Sequence, residues 1–412
     1  YRYNFDDPGV PLALPLPPGL GRRLRTDLEA LVEELRSAIP AVFESEEYQN
    51  RLHELKQAMG ERQRDAVEAV RREAREHDIL LLSTPNGFTF APADGDKMMA
   101  PEAFEKLPQD ERERIEATIE TLQIKLTQAI RQMPRLAKAL RDQANALNAE
   151  MLESAIGAPL EELKERYAEH SGVLTHLDAI REAILFNVDS FIDDEPDIPA
   201  EAVFSRFQVN LLVDNAEAQG APVIYQDLPS HQHLVGRIEH HVHNGTLLTD
   251  FSLIRPGALH RANGGYLVLD VRGVLTQPGA WETLKRVLKA GEIRTESLEQ
   301  AYGLISTVTL EPEPIPLDVK IVLLGERLLY YLLCEHDPEF LALFKVQADL
   351  EDELDRDPEH EAFYARLVAT LAREAALRPL DRSGVAAVIE RASRLADDQR
   401  KLTARHRDLH DL

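Results

Sequence analysis

Apolar positions recur along this chain with two different periods, and the changes of period divide it. Residues 1–20 are Pro-rich and partly extended, with Tyr1-Arg2-Tyr3-Asn4-Phe5 reading as a short strand that ends at Asp6-Asp7-Pro8. From about Thr26 to Phe191 the apolar residues return every three or four positions, the spacing of one helix face. Tyr48, Leu52, Leu55 and Met59 form one narrow seam; Ile115, Ile119, Leu122 and Leu126, continued by Ile130 and Met133, form another. Both have the width of a coiled-coil seam and are flanked by Glu, Arg, Lys and Gln. Between them Ser83-Thr84-Pro85-Asn86-Gly87-Phe88 carries turn chemistry and leads into a short hairpin. The simplest geometry is two antiparallel helices with a small tip, each reaching about 50 Å if roughly 35 residues long. A compact bundle fits the same periodicity, but the seams supply little surplus apolar surface, which favours a projecting arm. Its tip, near Phe88 and Phe90, is a candidate for capturing other chains. Pro134 is expected to break or kink the second helix.

After Pro199 the pattern changes to short apolar runs. Residues 207–214, 222–225, 266–270 and 319–325 read as buried strands, with a helix at 281–289 between the last two. Short apolar strands alternating with helices predict a parallel α/β sheet. Helical spacing returns from about Glu361, in Leu367, Val368 and Leu371 and then Val385, Val388, Ile389, Ala392 and Leu395, a small terminal helical domain.

Composition narrows the class. The 412 residues suggest two or three domains, and 44% hydrophobic residues allow a real core. The single cysteine, Cys334, excludes a disulfide framework, favours a cytoplasmic setting and is expected to be an ordinary buried thiol. No apolar run approaches the ~20 residues of a membrane span. A net charge of −25 argues against a nucleic-acid-binding surface over the whole molecule. The chain opens at Tyr1, not Met, and is expected to be a piece of a longer one.

The sharpest chemistry lies in Gly257-Ala258-Leu259-His260-Arg261-Ala262-Asn263-Gly264-Gly265-Tyr266-Leu267-Val268-Leu269-Asp270. A hydrophobic strand with Asp at its C-terminal tip is the Walker B arrangement, in which the carboxylate holds a nucleotide's Mg²⁺. Many strands end in Asp by chance, so that signal alone is weak. His231, His233, His240, His241 and His243 have spacings that can bind zinc, but no cysteine supports them and no H-E-x-x-H helix is present, so strand-edge and loop histidines are the better reading. Trp281 and its helix read as core.

Context gives the Walker B reading its weight. The Pro-Gly-x-x-His-Arg-Ala-x-x-Gly run before the strand resembles the corresponding stretch of Lon-related AAA+ proteases. So do Asn210-Leu211-Leu212-Val213-Asp214-Asn215, Leu234-Val235-Gly236-Arg237-Ile238-Glu239-His240, Leu248-Thr249-Asp250-Phe251, Trp281-Glu282-Thr283-Leu284-Lys285-Arg286, Glu311-Pro312-Glu313-Pro314-Ile315-Pro316 and Asp337-Pro338-Glu339-Phe340, in the family's order. The resemblance implies an α/β AAA+ parallel-sheet core, with residues 1–20 as its start and 200–346 as its body. A long coiled-coil-like helical arm is inserted at 21–199, and an all-α lid follows at 347–412. It implies ATP and Mg²⁺ as cofactors, a homo-hexameric ring, and unfolded protein passed to a Ser-Lys peptidase domain, with no nucleic acid and no membrane. Asp270 would hold the metal, Glu326 would occupy the sensor position, Lys345 that of a neighbouring subunit's cation, and Arg394 (or Arg391) would reach the nucleotide from the lid. Phe251 would be the aromatic of the substrate pore loop.

The departures matter as much. No G-x-x-x-x-G-K-[ST] phosphate loop is present; the family places it upstream of Tyr1. The Ser-Lys pair of the peptidase belongs to a downstream domain, so no hydroxyl here is called catalytic. Val271 stands where active relatives place the Glu that polarises the attacking water. The alternative is therefore a nucleotide-independent scaffold that forms and gates the ring. A nucleic-acid-remodelling AAA+ protein is a third, disfavoured by the charge.

Overall fold

The computed structural model describes residues 1–84, 87–94, 97–192, 196–243, 246–296 and 310–411. They form two compact units, residues 1–324 and 325–412. Among the described residues no helix is long and apolar enough to cross a membrane.

In the first unit the chain climbs through α1 (Leu20–Glu44) and α2 (Glu46–Glu76), turns through strands β1 (Ile79–Thr84), β2 (Gly87–Asp94) and β3 (Lys97–Met98), and returns down α3 (Gln109–Arg166) into α4 (Ser171–Phe186). Ser45 separates the first two helices: its side chain accepts the Tyr48 amide and caps α2. α3 has 58 residues, about 87 Å at ~1.5 Å each. It runs through Pro134 without a break, contrary to expectation. Pro134 lies on the exposed side, where water can satisfy the carbonyl freed four residues earlier.

α2 pairs antiparallel with α3 over about residues 122–150 of the longer helix. Tyr48 Oη donates to Asn148 (3.0 Å), Arg51 forks onto Glu150 (2.9 and 2.7 Å), and Lys125 reaches Glu73. At the distal end the hairpin lies on both helices: Leu81 and Phe90 pack with Val67, Val70 and Leu126, and Ile79 with Ala74 and Leu122. Pro85 and Asn86, expected to carry the turn, lie outside the described residues. Phe88 is half-exposed beside it, whereas Phe90 is packed. The proximal half is a true bundle. Leu24, Leu28, Leu35 and Ile39 of α1, Leu152, Ile156 and Leu160 of α3 and Val173, Leu177 and Ile180 of α4 share one core. Seam and bundle, the two readings that periodicity left open, thus occupy opposite ends of one helical segment.

The core of the first unit is a three-stranded parallel sheet in the order β6 (Val319–Leu324), β5 (Gly265–Asp270), β4 (Val223–Gln226). The intervening helix α5 (Ala280–Ala290) buries Leu284 and Val287. Residues 207–214, expected as a strand, pair only through an Arg2–Val209 bridge. Their apolar character has another cause: Phe207 is buried in the arm's bundle, while Asn210 straps the core by donating to the carbonyls of Phe251 (2.8 Å) and Ile254 (2.9 Å). Residues 1–5 contribute that one bridge and a second with Leu12, not a strand.

The second unit contains α6 (Arg327–His336), α7 (Pro358–Glu374) and α8 (Arg382–Leu395). Asp357 and Asp381 cap the last two, and a small strand pair carries Leu354 and Leu402 into a core with Tyr364 and Ala392. Cys334, expected to be buried, is only half-buried on α6.

Because the proximal bundle is packed and the distal ion pairs are exposed, two substitutions should differ sharply. Ile156→Ala should cost about 2–5 kcal/mol in urea unfolding, and Lys125→Ala less than about 1 kcal/mol.

Candidate functional site

The stretch before β5 builds the site's framework from backbone contacts. Gly236, at φ 85°, and Gly257 face one another so closely that a Cβ on Gly257 would collide with the Leu234 carbonyl and the Gly236 amide. Gly257 donates its N–H to Nδ1 of His260 (3.2 Å), which fixes the proton on Nε2; that nitrogen is buried without a hydrogen-bond partner. Arg261 donates to Gln226 at the end of β4 (2.8 Å). Asn263 brackets the approach to β6, donating to the Pro316 carbonyl (2.8 Å) and accepting the Asp318 amide (2.7 Å). None of these roles was visible in the sequence, although the Asn-Gly-Gly run is the turn signal that could have pointed to Asn263.

Asp270 stands at the C-terminal end of β5, the middle strand, in register with Leu324 at the end of β6. This is where open α/β sheets bind ligands. Its Oδ1 accepts the Gly273 amide (2.8 Å) and so caps the helix Val271–Thr276. Val271 is buried, so its side chain packs inward. Leu267 and Leu269 are buried beneath β5, whereas the opposite face is bare. Val223, Tyr225, Tyr266, Val322 and Leu324 share it by register and are 38% to 66% exposed. All-parallel sheets are ordinarily covered on both faces, and the outer edge of β6 has no partner strand among the described residues.

Three of the other expected site residues belong to the second unit. Glu326, exposed, is the N-cap position of α6; Lys345 is exposed; Arg394 pairs with Glu390 (2.9 Å) and is also exposed. All three belong to residues 325–412. Phe251, expected on a pore loop, is 6% exposed and packs with Tyr1, Tyr3 and Ile254. It anchors the base of the element that does project: a hairpin of His241–His243 and Thr246–Leu248, whose Val242 and Leu247 are opposite one another and 71% and 67% exposed. An aromatic is the obvious grip in sequence, but this ring completes a core with Tyr1, Tyr3 and Ile254.

His231 donates from Nε2 to the Glu296 carbonyl (2.8 Å) and accepts from the Thr283 hydroxyl at Nδ1 (2.8 Å); Ser230 engages His233 (2.7 Å). Among the described residues no cluster of three or more His, Cys, Asp or Glu side chains is placed to hold a metal ion.

Burial pushes the His260 imidazole down to about 4, since the charged ring would be desolvated. The unfolded chain, at about 6.5, takes up the proton first. Stability is therefore unaffected by this ring above pH 6.5 and falls as pH drops from 6.5 to about 4, by at most about 1.4 kcal/mol per pH unit. Thermal unfolding over that range should show a shallower acid slope for His260→Gln than for the natural chain.

Three family models match the chain. Residues 219–351 match a LonB-like AAA domain, residues 1–31 a Lon-like LonC helical domain, and residues 379–412 the archaeal LonB AAA+ ATPase lid domain. A putative Lon protease homolog of Escherichia coli (strain K12) is 29% identical over 150 residues, 36% of this chain and 25% of that protein. The chain thus spans about a quarter of the length of the curated relative it matches. The AAA match covers the parallel sheet and Asp270, and the lid match the end of the second unit. Over these segments the chain is similar to Lon-related AAA+ modules, and the fold is consistent with one.

Proposed function

We propose that this module serves a cytoplasmic, ring-forming Lon-like serine protease, where it recognises unfolded polypeptide and passes it to a Ser-Lys peptidase domain of the longer protein. The observation that carries the reading is the setting of Asp270: a carboxylate at the tip of the central strand, beside an open sheet edge and a bare apolar face. A strand and helix bearing a phosphate loop would cover both, and would bring phosphates to the end of the sheet where Asp270 stands.

The residues present fit Mg²⁺–ATP in part. Asp270 has one carboxylate oxygen on its cap, and the other could accept a water of the metal. The 412 residues hold no phosphate loop of their own. Bound nucleotide would supply the free energy for moving substrate. In this reading Glu326 senses its presence, Arg394 approaches it from the lid, and Lys345 serves a neighbouring subunit in a hexamer. Substrate is gripped by the paired strands His241–His243 and Thr246–Leu248. Their aliphatic pair, Val242 and Leu247, stands on a base fixed by Phe251 and by the Arg237–Glu239–Arg255 ion pairs (2.6 and 2.8 Å).

One observation favours a second reading, a nucleotide-independent scaffold that forms and gates the ring. Val271 fills the position of the water-polarising Glu and is packed into the core, so no carboxylate is available there.

The two readings part on one experiment with the whole protein. Under the first, Asp270→Asn should cut ATP-stimulated degradation of an unfolded protein at least tenfold and leave cleavage of a short peptide unchanged. Degradation that is indifferent both to ATP and to the substitution would establish the scaffold instead. Under either reading, Val242→Ser with Leu247→Ser should lower unfolded-protein degradation about tenfold and spare the short peptide, a difference read from parallel rate measurements.

A further inference from the structure

The joint between arm and core is packed without slack. A Cβ on Gly21 of α1 would lie 2.5 Å from Leu211 Cδ1, and one on Gly172 of α4 would lie 2.7 Å from Leu14 Cδ1. Arg22 adds an ion pair to Asp214 (2.5 Å). One turn beyond Gly172, the ring of His176 is fully buried in the same seam. Its Nε2–H donates to the carbonyl of Phe207 (3.3 Å), where the chain returns from the arm to the Arg2–Val209 bridge. Its Nδ1 is buried with no hydrogen-bond partner.

We propose that His176 is an acid-sensitive latch on this joint: a second proton on its ring frees the arm from the core while the sheet stays folded. A charged imidazole would need an acceptor at Nδ1, and burial provides none. The charge that reaches the ring is the Arg2 guanidinium on the opening segment, which opposes protonation. On the packed helices, the Asp27 carboxylate is already engaged by Arg166 (2.8 Å) and the Tyr167 hydroxyl (2.7 Å). Val173, Leu177 and Ile180 of the same helix are buried in an apolar core with Leu24, Leu28 and Phe204.

The sign follows from these surroundings. Desolvation, then Arg2, hold the closed ring down to about 3, whereas a ring exposed by opening returns to its ordinary value of 6.5. Between those limits the open joint binds the proton and the closed joint does not. Opening is therefore favoured by up to tenfold per pH unit as pH falls, about thirtyfold at pH 5 relative to neutrality. The latch does not depend on whether the module uses nucleotide.

Hydrogen–deuterium exchange of the chain at pH 7.5 and 5.0, corrected for intrinsic rates, tests it. In a His260→Gln background, which removes the other buried ring that takes up a proton over this range, residues 171–186 and 203–209 should lose about thirtyfold in protection at pH 5, while strands β5 and β6 keep theirs. His176→Gln retains a neutral donor for the Phe207 carbonyl and should abolish the difference. Equal opening in His176→Gln, or loss of sheet protection together with the arm, would overturn the latch. If the variant does not fold, the imidazole resonance of His176 in the natural chain decides. Protonation with protection of 171–186 unchanged refutes the proposal, and protonation in step with its loss supports it.

Discussion

Where β5 begins, the chain has room for a backbone and nothing more. The Pro222 carbonyl occupies the space that a Cβ on Gly265 would need, and from there it accepts the Tyr266 amide (2.7 Å). That bond places Val223 opposite Tyr266 and so sets β4 on β5. On the other side, Gly264 donates to the Asp318 carbonyl (2.6 Å) and Asn263 takes the Asp318 amide, which sets Val319 opposite Gly265. With both registers fixed, alternation does the rest. Leu267 and Leu269 must face the covered side, Tyr266 and Val268 the bare one, and Asp270 must arrive at the end of the middle strand. A one-residue slip at Gly265 would exchange the faces and remove the carboxylate from its position.

The arm obeys a different constraint, the supply of apolar side chains. Its proximal half has enough of them, on three helices, to exclude water; its distal half has one seam per helix and makes up the difference with a hairpin laid across both. The exposed ion pairs along the seam add little individually, so the hairpin's Ile79, Leu81 and Phe90 supply apolar contacts that the helices lack at their far ends. The same accounting explains why Pro134 is tolerated. It stands on an exposed side of α3, where neither its missing N–H nor its ring disturbs a packed neighbour.

Much of this was legible in the sequence, because period is a direct imprint of burial. The arm seams, the hairpin, strands β4 to β6, α5 and the helices α7 and α8 all followed from it. Of the features that escaped, three have a clear physical reason. Residues 207–214 are apolar because they lie between arm and core, and apolar runs do not declare what they pack against. Phe251 looked like a projecting aromatic because its partners, Tyr1 and Tyr3, are some 250 residues away in sequence. Asn263 and His260 act through backbone amides and carbonyls, which no side-chain pattern records.

Asp270 and Val271 bear on chemistry more narrowly than their motif implies. Asp270 caps a helix through the Gly273 amide, worth about 1 kcal/mol, so an acidic residue has a structural reason to stand there with or without a metal. Val271, at the first position of that helix, is buried; a carboxylate put there would have to be desolvated or turned outward, displacing the strand's end. Packing thus accounts for both residues without nucleotide, and the case for nucleotide shifts to groups outside the pair. The bare face of the sheet is the weightier observation for that reason. No cap explains five large apolar side chains left in water, and covering them would lower the free energy of any protein that carries this module.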